Sequence, residues 1–332
     1  MVVEPTIACV VPCHNEEAAV GKVVRDLRAA LPEAVVYVYD NASTDRTAEL
    51  AREAGAIVRH ETRKGKGNVI RRAFADVDAD ALLIVDGDDT YDVSRARDLV
   101  DLLFDGPYDQ VVGARRVVTD GAYRAGHAVG NKVLTGAVRS LFGNDVTDML
   151  SGYRVFSRRF VKSFPALARE FETETEMTIH ALHLRLPTAE VPVDYRVRPA
   201  GGESKLRTYR DGWRILRVIL DLARRERPSL VHTVIAGVLA LVSVILGIPV
   251  IADFVRTGTV PRVPTAILAA AIMTIAALVL LVGYILESLT HMRQEQTRLV
   301  HLAYPAPVRA PRYTARGAGT GPVPVRKTAG GP

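Results

Sequence analysis

Two stretches of this chain run longer without charge than the core of a soluble domain calls for. Leu230 to Ile251 (LVHTVIAGVLALVSVILGIPVI) has no formal charge apart from one on His232 when that ring is protonated, and Val263 to Leu286 (VPTAILAAAIMTIAALVLLVGYIL) has none. A helix needs ~20 apolar residues to cross about 30 Å of hydrocarbon, and a buried soluble helix of that length keeps a polar stripe. Both segments are therefore expected to span a membrane. Neither carries Asp, Glu, Lys or Arg in its middle, so they read as an anchor and not as a transport path. Arg224, Arg225 and Arg227 precede the first span, and Arg293, Arg298, Arg309, Arg312, Arg316, Arg326 and Lys327 follow the second. The positive-inside rule then puts both termini in the cytoplasm and the short loop Ala252–Arg262 outside. The chain opens MVVEPTIACVVP with no basic segment before its apolar run, so no signal peptide is expected.

The rest of the chain has a different texture. Short β-branched runs (Ile7–Val11, Val35–Tyr39, Ile57–Arg59, Leu82–Val85, Gln110–Gly113) alternate with amphipathic stretches such as Ala18–Ala30 and Thr47–Ala54. That alternation predicts an α/β domain with a mostly parallel sheet, its strands apolar throughout because helices cover both faces. With 48% hydrophobic residues the chain is not a disordered one. Its cysteines, Cys9 and Cys13, lie in one apolar run, which excludes a disulfide scaffold. The net charge of +6 would suit nucleic acid or an anionic membrane surface. The cations gather around the spans and not in a stripe interleaved with aromatics, which favours the membrane.

The polar residues collect where the strands end. Val85-Asp86-Gly87-Asp88-Asp89 closes the fourth strand, and carboxylates spaced i, i+2 at that edge, where ligands bind in open α/β sheets, suit Mg²⁺ or Mn²⁺. Asp40-Asn41-Ala42-Ser43-Thr44-Asp45 closes the second strand. There Ser43 or Asp45 can cap the next helix, while Asp40 faces the ligand edge and can accept from a nucleobase N–H. Pro12-Cys13-His14-Asn15-Glu16 leads from the first strand into a helix whose N-terminus favours anions. Arg63-Lys64-Gly65-Lys66-Gly67-Asn68 is a basic glycine-bearing turn of the kind that touches phosphate, without the Walker spacing. Two stripes alternate with cations: Val133, Leu134, Ala137, Val138, Leu141 and Phe142, which favour the core, and Trp213, Leu216, Val218, Leu220 and Leu222, which favour the membrane interface.

Taken in order, VPCHNEE, DNASTDRTAEL, GKGNVIRRAF and VDGDDTYD resemble the nucleotide-sugar-binding half of the GT-A glycosyltransferases of family 2. TDMLSGYRVFSRRF, FETETE and GGESKLRTYRDGWRIL, followed by two spans, are similar to the polyprenyl-phosphate branch, that of the dolichyl-phosphate mannose and glucose synthases. The resemblance covers about Ile7 to Leu286. It implies a GT-A (Rossmann-like) domain over residues 1–207, a juxtamembrane amphipathic helix over 208–228 and a two-helix anchor over 229–287; beyond it, a composition rich in Pro and Gly and free of acid from His301 predicts a basic, disordered cytoplasmic tail over 288–332. Pro12, Glu16 and Asp40 would line the nucleotide pocket, with Asn15, Asp45 and Lys66 beside them, and Asp86 and Asp88 would hold the metal. Relatives continue the metal motif as DADLQ; here Asp89 and Thr90 stand at its last two positions, which leaves open which of them completes the metal's surroundings. Arg115 and Lys205, then Arg124, His127 and Arg207, would meet the acceptor phosphate. Asp148, in TDMLSGYR, would orient that phosphate or its cations, or act as a base.

The implied activity is inverting transfer of a hexose from a nucleotide sugar to polyprenyl phosphate at the cytoplasmic face of the cell membrane, with UDP-glucose as the first expected donor and GDP-mannose the second. Nucleic acid is not an expected partner, anionic lipids are, and a homo-oligomer is left open. The competing readings are a catalytically silent membrane scaffold and a family 2 transferase with another lipid or glycan acceptor. A processive polysaccharide synthase is disfavoured, because Trp213-Arg214 lacks the Gln of a QxxRW motif, with Asp211 in its place.

Overall fold

The apolar run at the N-terminus becomes β1 (Ile7–Cys13), and its side chains alternate between two cores. Cys9, Val11 and Cys13 pack with Val20, Val24 and Leu27 of α1 (Val20–Ala30) and with Leu99 and Leu103 of α4 (Ala96–Asp105). On the other face, Ala8 and Val10 join Ile70, Ala73 and Phe74 of α3 (Lys66–Asp76), Phe160 of α5 (Arg158–Ser163) and Met177 of α6 (Thr173–His183). A strand covered on both sides has no polar face to keep. Each fully buried Val or Leu in these cores is worth about 2 kcal/mol.

The computed structural model describes residues 4–117, 136, 147–167, 173–196, 228–307 and 326–327. They include β2 (Val35–Asp40), α2 (Thr47–Glu53), β3 (Ile57–His60), β4 (Ala81–Ile84), β5 (Gln110–Val117), β6 (Arg154–Ser157), β7 (Thr188–Tyr195) and the two-residue β8 (Arg326–Lys327). The sheet order is β3-β2-β1-β4-β6-β5-β7-β8. β1 to β4 are mutually parallel, with Cys13 level with Asp40 and Val10 with Ile84. β6 is inserted antiparallel between β4 and β5, which turns β5 parallel to β4 again. The carboxyl ends of β1, β2, β4 and β5 therefore share one edge. β5 runs past Gly113, its expected end, to Val117, because β7 pairs with it over that whole length. Arg115 consequently lies inside a strand and not after one.

Contacts divide the chain into residues 1–211 with 297–332, and residues 212–296. Within the second unit, α7 (Pro228–Thr257) and the greater part of α8 (Val263–Leu302) are both long and apolar enough to cross a membrane. They approach closely. Ser243 Oγ donates to Ala269 O at 2.8 Å, Ser229 N donates to Glu287 at 3.2 Å, and a Cβ on Gly283 would stand 2.6 Å from that of His232. Small residues at such crossings let helix backbones meet. α8 continues helically to Leu302, so residues 288–302 are not the disordered tail expected of them. Its last turn belongs to the first unit: Arg298 Nη1 donates to Leu184 O at 2.9 Å, and buried His301 lies 3.8 Å from Asp109. Asp109 in turn takes the guanidinium of Arg159.

Candidate active site

The loops after β1 and β2 are laced together. Asn15 donates its N–H to Ser43 Oγ (3.0 Å) and accepts from Thr44 N (2.8 Å); Glu16 N donates to Thr47 Oγ1 (2.8 Å), and Glu17 N to Asp45 Oδ2 (3.2 Å). Asp45 Oδ1 also takes the N–H and hydroxyl of Thr47. Burial opposes ionisation of Asp45, but those donors prevail and hold its carboxyl below the usual value. The side chains of Asn15 and Asp45 are thus committed to the scaffold of the site. Asn15, Ala42 and Asp89, one in each of the three loops that end β1, β2 and β4, adopt left-handed backbone (φ 57°, 55° and 55°). Such conformations persist where the surroundings over-determine them.

Asp40 ends β2 nearly buried, with His60 Nδ1 3.1 Å from its Oδ2. The next residue, Asn41, organises the basic turn that precedes α3. Its side-chain amide donates to Glu61 O (2.9 Å) and Arg63 O (2.7 Å), and its carbonyl accepts from Gly65 N (2.8 Å). Gly65 at φ 121° begins the helix. Lys66, read from the sequence as a phosphate contact, turns inward: its ammonium lies 2.5 Å from Asp86 Oδ1 and 2.5 Å from Glu174 Oε1. Burial disfavours its charge, but the two carboxylates outweigh that and raise its pKa.

Two glycines shape the acidic turn after β4. A Cβ on Gly87 would stand 2.4 Å from Cys13 Sγ, and one on Gly152 would stand 2.3 Å from Asp86 Oδ2. Only glycine at these places lets the turn lie against β1 and the loop before β6. Asp88 is buried and accepts from Thr90 N (3.2 Å) and Thr90 Oγ1 (2.6 Å). The residue that departs from the DADLQ pattern therefore orients Asp88. Asp89 points to α1, where Lys22 Nζ lies 2.7 Å away. Among the described residues no group of three or more His, Cys, Asp or Glu is disposed around one cation. Asp86 and Asp88, two carboxylates on the turn at the carboxyl edge of the sheet, are hard oxygen donors of the kind that suit Mg²⁺ or Mn²⁺, which completes its surroundings with substrate phosphate and water.

Arg115, in β5, makes a two-pronged ion pair with Asp148: Nε to Oδ2 and Nη2 to Oδ1, both 2.7 Å. Its guanidinium also lies 5.6 Å from the centre of the Tyr195 ring. Asp148 is nearly buried, which alone would raise its pKa. The hydrogen bonds and charge of Arg115 reverse this and hold the carboxyl below the usual range. A carboxylate so stabilised is a poor proton acceptor, which favours orientation over base catalysis for Asp148. Fully buried Arg154, the first residue of β6, donates to Ser151 O and Met149 O of the same loop and to Thr178 Oγ1, fastening the loop to α6. Pro12 is half-buried at the end of β1, and Glu16 accepts the first backbone bonds of the turn into α1. Arg124, His127, Lys205 and Arg207, and both amphipathic stripes, lie outside the described residues. Asn41, Gly152 and Glu174 were not among the residues singled out in the sequence. For Asn41 the available signal was an amide directly after a strand-terminal aspartate.

The family model described as "Glycosyl transferase family 2" matches residues 8–164. The chain is 36% identical over 228 residues to glycosyltransferase AglJ of Haloferax volcanii, covering 68% of this chain and 74% of that one. It is 30% identical over 226 residues to a dolichyl-phosphate hexose transferase of the same organism, covering 68% and 96%. Among solved structures, glucosyl-3-phosphoglycerate synthase from Mycobacterium tuberculosis superposes with a TM-score of 0.54 at 24% identity, covering 65% of this chain and 79% of that one. A structure of that enzyme with Mg²⁺ and uridine diphosphate superposes with a TM-score of 0.51 at 25% identity, covering 60% and 73%. The mixed sheet and its helices have the GT-A fold.

Proposed function

Starting from its membership of glycosyl transferase family 2, we propose that this chain transfers a hexose from a nucleotide sugar to polyprenyl phosphate, inverting the anomeric centre. The observation that carries the reading is the pairing, on one sheet edge, of an acidic turn (Asp86, Asp88) with a cationic strand residue (Arg115). One suits the donor diphosphate and the other an anionic acceptor. The similarity to a dolichyl-phosphate hexose transferase supports the acceptor. The Mg²⁺ and uridine diphosphate held by the structural neighbour support the donor and a divalent ion. UDP-glucose is the first donor to test and GDP-mannose the second.

In this reaction a phosphate oxygen of the lipid forms a bond to the anomeric carbon, and the bond from that carbon to the nucleoside diphosphate breaks. Asp86 and Asp88 would hold Mg²⁺ or Mn²⁺, which when bound neutralises charge growing on the leaving diphosphate. Asp40 and Pro12 would flank the nucleotide, and Glu16 opens the helix beside it. Arg115 would draw the acceptor phosphate in, its fork held by Asp148, with Arg124, His127, Lys205 and Arg207 as further cations. A phosphate monoester has a second pKa of about 6, so the nucleophile needs little help in losing its proton. An ionised Asp148 that does not take that proton is consistent with this. Most of the rate enhancement would be positioning and charge stabilisation.

The apolar helices α7 and α8 would anchor the chain in the membrane that holds the acceptor, with the flanking arginines keeping the catalytic unit and both termini cytoplasmic. The test incubates the full chain in bilayers with polyprenyl phosphate, Mn²⁺ and a panel of radiolabelled nucleotide sugars. Solvent-extractable, mild-acid-labile label from one donor is expected. Asp88→Ala should lower the rate by ~10³-fold, the scale of removing a key electrostatic group, with Tm retained. Full activity in excess EDTA, or water-soluble label only, would refute the proposal.

A further inference from the structure

Glu174 has no part in the chemistry above, yet it is wired to it. It is the second residue of α6 and is 6% exposed, on an element remote in sequence from both the basic turn and the acidic turn. The Lys66 ammonium that it meets at 2.5 Å is the same one that meets Asp86 Oδ1 at 2.5 Å. The walls around Lys66 and Glu174 include Ile70, Ile84, Phe156 and Met177 beside the buried guanidinium of Arg154, so water screens the charges there little. A lysine beside Asp86 alone would cancel its charge and fill the place where a cation must bind. A lysine shared between two carboxylates has its hydrogen bonds divided, so Asp86 does not hold it alone.

We infer that Glu174 is a positioning residue for the metal site: it draws Lys66 partly away from Asp86 and so keeps that carboxylate available to a divalent cation. The inference rests on Asp86 and Asp88 holding a metal, as proposed above. It makes Lys66 a resident competitor of that ion, and Glu174 the counter-charge that weakens the competition. When an ion arrives at Asp86, the ammonium retains a partner in Glu174 and is not stranded in an apolar pocket. A buried cation with nowhere to go would otherwise oppose binding.

The experiment titrates Mn²⁺ into the full chain in bilayers without nucleotide sugar, following the spectrum of the free hydrated ion by electron paramagnetic resonance, so activity plays no part. Glu174→Gln should weaken Mn²⁺ binding about 10-fold, at the lower end of what outer partners of a metal site contribute. Lys66→Met should not weaken it, and the double variant should bind as Lys66→Met does, because the effect of Glu174 passes through Lys66. Lys66→Gln replaces the methionine variant if that one does not fold. An unchanged affinity in folded Glu174→Gln would overturn the inference. So would an equal loss with and without Lys66, which would make Glu174 a direct ligand or a purely structural group. Product formation by an unaltered chain that takes up no Mn²⁺ would instead remove the metal reading on which the inference stands.

Discussion

Replacing Gly152 by alanine adds one methyl group at a place where the structure allows no room for it. The new Cβ would stand 2.3 Å from Asp86 Oδ2, 2.8 Å from its Cγ and 3.0 Å from Oδ1. A comfortable C···O approach is about 3.3 Å, so the carboxylate must retreat by about 1 Å. It has little freedom to do so, because Lys66 grips Oδ1 and the Gly152 N–H is itself held by Tyr91 Oη at 2.9 Å. A displacement of that size at a reacting centre costs about 100-fold in rate, or about 2.7 kcal/mol of barrier. Stability should fall too, by about 1–3 kcal/mol for an overpacked methyl, with a smaller gain offsetting part of it. The backbone at Gly152 is not left-handed, and a Gly→Ala change there restricts the unfolded chain by about 0.4–1 kcal/mol. The expected result is a folded protein with a Tm lowered by a few degrees, kcat/KM for labelled hexose transfer down about 100-fold and weaker Mn²⁺ uptake. A variant that transfers hexose at the unaltered rate would show that Asp86 does not work from this position, and the site assignment would fall.

Asn41→Ala should cost about 3 kcal/mol, near 1 kcal/mol for each of its three hydrogen bonds to the turn over 61–65; urea unfolding measures it, and an unchanged midpoint would contradict the fastening role given to Asn41. His180 supplies a pH test: burial pushes its imidazole down to about 3, so the folded chain stays neutral there while the unfolded chain, with its pKa near 6.5, takes up a proton. Stability is then full above pH ~6.5 and declines as pH falls, by about 2 kcal/mol between pH 7 and 5. Tm measured at both pH values should drop less in His180→Gln, and an equal drop would refute the assignment.

How much of this was legible in the sequence differed from element to element. β1, β2 and the core of β4 were readable because strands covered on both faces leave continuous apolar runs, β3 at the sheet edge from its β-branched Ile57-Val58 pair alone, and α1 because Val20, Val23, Val24 and Leu27 recur at helical spacing. β6 and β7 were not anticipated. Arg154 interrupts the pattern of the first with a buried guanidinium, and Pro192 sits inside the second. Proline in a strand argues against a central position, yet β7 lies between β5 and the short β8. The acidic turn and Asp40 were visible as polar residues at strand ends. The long-range partners were not: nothing local in FETETE indicates that Glu174 meets Lys66, nor in VVGARR that Arg115 grips a carboxylate 33 positions away. Such pairings are properties of the topology, and only the sheet order brings them together.

The two thiols deserve a practical reading. Cys9 and Cys13 are fully enclosed on one face of β1, and burial raises the first to about 12 and the second well above the ordinary value. Neither forms the thiolate that alkylating probes require. A cysteine introduced at an exposed site can thus carry a fluorophore or spin label with both natural ones left in place, and a distance reporter can be installed without disturbing the strand beneath the acidic turn.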